Sequence, residues 1–253
     1  MNVTSTPWPE RVVDELCQSI VDCLNRTAPV VQGPTPYRML RTTNVRDGFI
    51  DAIETRFVDE DVFRIWTRRQ LPQPGDIILT REAPLGEVGM IRPGTNVFLG
   101  QRLVSYRTNP DVLDNRFLLY YLRSDQGRAQ VMSFGMGATV AHMRVPDAKK
   151  LLVPVPPLET QRRIASTLGA YDDLIEVNRR RVAVLEEMAR GLFEEWFVRF
   201  GFPGHEGVRM VESELGLVPE GWTIEAVEDV TETLGGGTPS KTESDYWDGG
   251  DIN

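Results

Sequence analysis

Along the first 155 residues, short apolar runs alternate with turn-forming clusters. Gly75-Asp76-Ile77-Ile78-Leu79-Thr80, Asn96-Val97-Phe98-Leu99 and Gln101-Arg102-Leu103-Val104-Ser105-Tyr106 set β-branched and aromatic residues between Gly, Pro, Asn and Asp, a pattern that predicts strands. Two stretches carry helical spacing instead. One covers Pro9 to Leu24; the other covers Asn115 to Ser133, where Phe117, Leu118, Tyr121, Leu122 and Ala129 recur on one face. Residues 1–155 therefore read as one α+β domain. The prolines of Leu151-Leu152-Val153-Pro154-Val155-Pro156-Pro157 make a stiff, extended joint after it.

From Glu159 to about Phe200 the chain has no proline, and Ile164, Leu168, Tyr171, Ile175, Asn178, Val182, Leu185, Ala189, Leu192 and Trp196 follow one another in alternating steps of four and three. That is a heptad seam on a helix of roughly 60 Å at 1.5 Å per residue, stopped by Gly201-Phe202-Pro203-Gly204. Such a helix cannot bury its own seam, and the chain offers no second helix of similar length. The seam therefore predicts self-association or docking to another chain; the alternative is that the helix lies on its own domain. Asn178 is a polar residue in that seam, a position that can fix register.

A short repeat follows. Pro7-Trp8-Pro9-Glu10 and the stretch after it are echoed by Pro219-Glu220-Gly221-Trp222, which continues to Asp251-Ile252-Asn253. Residues 201–253 thus read as a linker and the start of an incomplete second domain, too short to build a sheet and expected to be poorly ordered or to lie on the helix. The organisation expected is 1–155 first domain, 156–200 long helix and 201–253 linker and stub.

Composition narrows the class. The chain is 41% hydrophobic and 26% charged, with no run of 18 apolar residues and no basic-then-apolar N-terminal leader, which suits a soluble protein that meets no membrane. Cys17 and Cys23 fit a reducing cytoplasm, and His142 and His205 are too far apart to complete a zinc site with them. The net charge of −9 would argue against a polyanion partner if it were evenly spread. It is not: residues 201–253 hold 2 basic and 12 acidic groups, whereas residues 37–150 hold 17 basic, nearly all Arg, and 13 acidic. Charge near a phosphate decides binding, and Arg suits bidentate contacts to guanine or phosphate. A solvated surface of mixed charge would have the same composition. Catalytic signatures are absent: Asn109-Pro110-Asp111-Val112 lacks the rest of an amino-methyltransferase motif, Phe134-Gly135-Met136-Gly137 has no acidic residue on a following strand, and no phosphate-loop lysine or nuclease motif occurs.

Pro156-Pro157-Leu158-Glu159-Thr160-Gln161-Arg162-Arg163-Ile164-Ala165 and the helix ending Leu192-Phe193-Glu194-Glu195-Trp196-Phe197 resemble the spacer of type I restriction–modification specificity subunits. Pro74 to Gly89, Gln101-Arg102-Leu103-Val104 and Gly135-Met136-Gly137-Ala138-Thr139 resemble that family's target-recognition domain, and Pro219-Glu220-Gly221-Trp222 with Gly236-Gly237-Thr238-Pro239-Ser240 resembles the opening of such a domain. The family has two recognition domains and two spacer helices; this chain has one of each and a stub, and Cys17 to Val31 replaces the glycine-rich opening. The resemblance implies a non-catalytic subunit that reads half of a bipartite target in double-stranded DNA. It implies antiparallel spacer helices that set the gap, and methyltransferase subunits that bring S-adenosylmethionine and methylate adenine. Restriction subunits join such complexes to cleave. A half-length chain would restore the layout as a homodimer. The competing reading is a coiled-coil adaptor that binds methyltransferase subunits without reading DNA. Within the DNA reading, Arg81, Gln101, Arg102, Thr139, His142 and Arg144 are the expected groove contacts, with Arg41 and Lys149 on phosphates.

Overall fold

The computed structural model describes residues 8–24, 26–135 and 141–237. Its strands are β1 (Glu10–Val12), β2 (Cys17–Asp22), β3 (Arg38–Leu40), β4 (Val45–Arg46), β5 (Phe49–Ile50), β6 (Arg56–Phe57), β7 (Ile77–Arg81), β8 (Leu85–Met90), β9 (Phe98–Leu99), β10 (Leu103–Thr108), β11 (Leu152–Pro154), β12 (Met210–Ser213) and β13 (Gly216–Pro219). Its helices are α1 (Glu60–Trp66), α2 (Asn115–Arg123), α3 (Asp125–Ser133), α4 (Val145–Ala148), α5 (Leu158–Phe193) and α6 (Val227–Val230). Two compact units result, residues 1–177 and 178–253, and the division falls inside α5.

The first unit is built on an antiparallel sheet of order β2-β10-β7-β8. Successive side chains of a strand point to opposite faces, and here both faces are covered. Ile77 and Leu79 of β7 with Val104 and Tyr106 of β10 enter one core, shared with Phe117, Leu118 and Leu122 of α2. Ile78 and Leu103 enter a second core, shared with Leu40, Phe98 and the α1 residue Trp66. The adjacent apolar residues Ile77-Ile78-Leu79 of β7 and Leu103-Val104 of β10, in place of strict alternation, are the sequence trace of that double burial. A second sheet, β6-β3-β9, includes a parallel pairing of Met39–Leu40 with Phe98–Leu99.

The fold class is as expected, with three local differences. Pro9–Leu24 is not a helix: β1, a 3-10 turn at Val13–Glu15 and β2 replace it. The spacing that mimicked a helix is real, since Val13, Leu16 and Ile20 all enter one core. The chain brings them there through a turn and a strand, because β2 pairs with the otherwise open edge of β10. The stretch Asn115–Ser133 is two helices. Ser124 breaks it with an extended backbone, its Oγ accepting from Gly127 N at 3.2 Å as the N-cap of α3. Residues 201–237 do form a sheet, the hairpin β12–β13, and Trp222 stacks against Phe202 and Phe197 with ring centroids 6.0 Å apart in each case. Ring-to-ring contacts hold the short segment together, although Trp222 and Phe197 stay exposed. One local geometry also recurs: the 3-10 turn Val13–Glu15 lies five residues past Trp8, and α6 starts five residues past Trp222.

α5 runs 36 residues and passes into a π turn at Glu194–Val198. The last seam position, Trp196, lies within this π turn, and the part of the seam on the α-helix ends at Leu192. In the first unit, α5 rests on its own domain through Gln161, Ala165 and Gly169. Ala165 and Gly169 lie one residue on from seam members Ile164 and Leu168, and so about 100° around the helix. Ile164 is half-buried against the core, but Leu168, Tyr171, Ile175, Asn178, Val182, Leu185, Ala189 and Leu192 are exposed.

Candidate nucleic-acid interface

The parallel β3–β9 pairing brings the ends of two distant strands side by side. After β3 comes Arg41, which caps a 3-10 turn at Thr42–Asn44 by donating its backbone N–H to Asn44 Oδ1 at 2.8 Å. After β9 comes Gly100, whose N–H donates to Leu40 O at 2.9 Å; a Cβ there would stand 2.3 Å from that same oxygen, so only glycine permits the approach. Gln101 and Arg102 then turn the chain into β10, with Arg102 in the left-handed region at φ 67°. For a non-glycine residue that conformation costs energy and persists only where the surroundings impose it.

These pieces line a cavity of about 440 Å³ walled by Thr27, Met39, Arg41, Thr42, Arg56, Gln101 and Arg102, among others. Its polar atoms are organised. Thr27 donates to Gln101 Oε1 at 3.0 Å, Thr42 donates to Ala83 O at 2.8 Å, and Arg41 Nη2 donates to Glu54 O at 2.9 Å while its buried Nε has no partner among the described residues. Arg102 pairs with Glu82 at 3.3 Å, and the opposite oxygen of Glu82 lies 3.4 Å from His142 Nδ1. Arg41 and Arg56 have no ion-pair partner among the described residues, so the cavity carries three guanidinium groups against one carboxylate at its rim. That is an anion-attracting surface furnished with Gln and Thr hydrogen-bonding groups, the chemistry that phosphates and base edges require.

The expected contacts divide accordingly. Arg41, Gln101 and Arg102 come together at the cavity, with His142 joined through Glu82. Arg81 does not reach it. It is 8% exposed, and its Nη1 donates to Met143 O at 2.9 Å. Its backbone N–H also donates to Arg102 O at 2.7 Å, and Met143 N–H donates to its carbonyl at 2.9 Å. Strand β7 continues one residue further than its apolar run suggested and carries Arg81 under the segment around Met143, so Arg81 supports Arg102 instead of presenting itself to a ligand. Arg144 is held by Asp147 at 2.8 Å and Lys149 by Asp14 at 3.1 Å. The Asp147 carboxyl is kept below its ordinary range first by the Arg144 hydrogen bond and then by Lys150. Thr139 lies outside the described residues. Thr27, Thr42 and Arg56 join the site without any signal in their local sequence. Among the described residues no group of three or more His, Cys, Asp and Glu could hold a metal, and no helix is long and apolar enough to cross a membrane.

Comparison with known proteins places these features in context. Residues 67–187 match the family model described as the type I restriction modification DNA specificity domain. The chain is 34% identical over 223 residues to the putative type I restriction enzyme MjaX specificity subunit of Methanocaldococcus jannaschii, covering 86% of this chain and 51% of that protein. It is 26% identical over 206 residues to the MjaVIII specificity subunit of the same organism, covering 81% and 44%. The chain thus spans about half the length of the curated relatives it matches. A crystal structure of a type I restriction–modification S subunit from M. genitalium shares the fold, with a TM-score of 0.51 at 19% identity over 84% of this chain and 54% of that one.

Proposed function

Because residues 67–187 match the model of the type I restriction modification DNA specificity domain and the chain belongs to the specificity-subunit family, we propose that it reads DNA sequence for a type I restriction–modification complex and has no catalysis of its own. It directs methyltransferase subunits, which bring S-adenosylmethionine, to methylate adenine, and restriction subunits to cleave, at a bipartite target in double-stranded DNA. The observation that carries this reading is the cavity in which Arg41, Arg56, Gln101 and Arg102 converge, with Glu82 on Arg102 as the one carboxylate partner among the described residues. In it, Gln101 and Arg102 read base edges while Arg41 and Arg56 hold phosphates.

The exposed seam supplies the second half of the target. Leu168, Tyr171, Ile175, Val182, Leu185 and Leu192 are too many large apolar side chains to leave in water on one helix face. Packing of two copies, seam on seam, gives a two-fold dimer with two recognition domains (residues 1–155), two spacers (156–200) and a gap between half-sites. Residues 201–253 are then the opening of a second recognition domain that the first one echoes.

The test is methylation of a randomised DNA library by this chain with its cognate methyltransferase subunit, read by sequencing. Methylated adenines in a symmetric, gapped motif are expected. An assembled complex that methylates no motif, and whose DNA affinity does not change with salt, would overturn the reading in favour of an adaptor.

A further inference from the structure

α5 is held to its domain by two different kinds of contact. The first two turns use close packing: Gln161 is fully buried, Ala165 nearly so, and at Gly169 a Cβ would come within 2.4 Å of Arg116 Nη1. The next two turns use charge. Asp172 accepts from Tyr120 Oη and from Arg123 Nη1, each at 3.0 Å. Asp173 faces Arg116 at 3.6 Å and Arg92 at 3.8 Å, and Glu176 pairs with Arg92. Arg92 follows β8, and its guanidinium also lies over Phe49 at 5.1 Å; Arg116, Tyr120 and Arg123 come from α2. Two separate elements of the domain thus grip three successive acidic positions from different sides. Packing near Ala165 alone is a pivot. Charge at 172–176, about two to three turns further out, is what stops the helix turning on it.

We infer that Asp172, Asp173 and Glu176, gripped by Arg92, Arg116 and Arg123, are positioning residues that fix the angle at which α5 leaves the recognition domain, and through it the number of unread base pairs between half-sites. The inference rests on the proposed function for its consequence in DNA, though not for the latch itself. The lever is long: from Ala165 to Phe193 α5 extends about 42 Å, so a tilt of about 5° moves its far end about 4 Å, close to the roughly 3.4 Å step between base pairs. A loosened latch therefore changes the gap by about one base pair while leaving base reading intact.

The experiment compares the full chain with its Asp172→Asn, Asp173→Asn, Glu176→Gln variant, near-isosteric replacements that remove charge only. Two readouts are taken. One is the spin-label distance distribution between Arg128→Cys and Ala183→Cys on a Cys17→Ala, Cys23→Ala background. The other is the gap length among sites methylated in a DNA library by the reconstituted complex. The expected result is a broadened distribution and, beside the original gap, a second one shifted by one base pair, with the half-site bases unchanged. An unchanged distribution overturns the latch whatever the methylation result. A broadened distribution with a single retained gap overturns its role in spacing. A wild-type complex that yields no gapped motif, while the variant still broadens, refutes the proposed function and leaves the latch standing. Should the triple variant fail to give the wild-type near-ultraviolet spectrum, Arg92→Gln with Arg116→Gln, which spares the Tyr120–Asp172 bond, is put through the same readouts.

Discussion

Gln161 is the residue on which the joint between domain and helix most depends, and Gln161→Glu tests why. Its side chain is fully buried and all of its bonding capacity toward the domain is used: Nε2 donates to Val112 O at 3.0 Å and Pro156 O at 2.9 Å, and Oε1 accepts from Asp114 N–H at 2.9 Å. Asp114 is in turn the N-cap of α2, its carboxylate accepting from Phe117 N–H at 3.0 Å. Three hydrogen bonds at about 1 kcal/mol net each, with three buried groups left unmade, put Gln161→Ala at roughly 3–4 kcal/mol, a large part of a typical domain's stability. If side-chain volume were what mattered, glutamate would be mild. A carboxylate keeps the bond from Asp114 but turns two donations into two oxygen–oxygen repulsions, so Gln161→Glu should cost at least as much as Gln161→Ala near neutral pH. Urea melts followed by near-ultraviolet circular dichroism read this as a fall of roughly 1.5–2 M in midpoint at unchanged slope, taking a slope of about 2 kcal/mol per molar. A Gln161→Glu midpoint within roughly 0.3 M of the wild type would refute the hydrogen-bond account.

Arg102→Gly should separate strain from recognition: it removes the positive-φ penalty at that residue, so the melting temperature holds or rises, while the reconstituted complex loses on the order of tenfold in affinity for its motif over unrelated DNA. Arg107→Ala should be severe, because it strands the Asp76 carboxylate, which now accepts from Arg107 Nε at 2.9 Å and Nη2 at 2.7 Å and is buried; a loss of about 3–5 kcal/mol is expected in the same urea melts. The Tyr120 hydroxyl is pushed up to about 12, by burial first and then by its bond to Asp172. A raised folded-state value favours the neutral phenol, so its stabilisation is intact below pH 10 and lost as pH rises from 10 toward 12. Ultraviolet titration should find several late-ionising tyrosines, Tyr106 and Tyr121 among them, of which Tyr120 moves earlier in Asp172→Asn.

The sequence made some of this legible for clear physical reasons. Strands buried on both faces leave adjacent apolar residues, Ile77-Ile78-Leu79 and Leu103-Val104, so β7 and β10 could be read directly. A heptad seam leaves its period, so α5 could be read too. What was missed depends on partners distant in the chain. Val13, Leu16 and Ile20 sit at helical spacing, and only the vacant edge of β10 makes a strand of Cys17–Asp22. The face of α5 that meets the domain is Gln161, Ala165, Gly169 and three acids, invisible to any search for apolar periodicity. Of the site, Gln101 and Arg102 were legible as polar residues opening a strand. Arg56 and Thr42 were not, because they reach the cavity through the pairing of β3 with both β6 and β9. The burial of Arg81 has no local trace, because its cover, the backbone of Met143, lies 62 residues away.

The pairing of β1 with β11 has a consequence in time. Glu10 is opposite Pro154, and Val155 N–H donates to Pro9 O at 2.8 Å, so β1 leaves the ribosome long before its partner, which lies among the last residues of the domain. At about 5–20 residues per second, roughly 7–30 s of synthesis separate the two. Throughout that interval the Val12–Val13 stretch carries unpaired backbone groups, and the acidic residues Glu10, Asp14 and Glu15 around it keep that waiting edge from pairing with neighbouring nascent chains. Closure of the domain and release of the spacer helix thus become nearly one event, since the helix begins at Leu158, four residues after the strand that closes the domain.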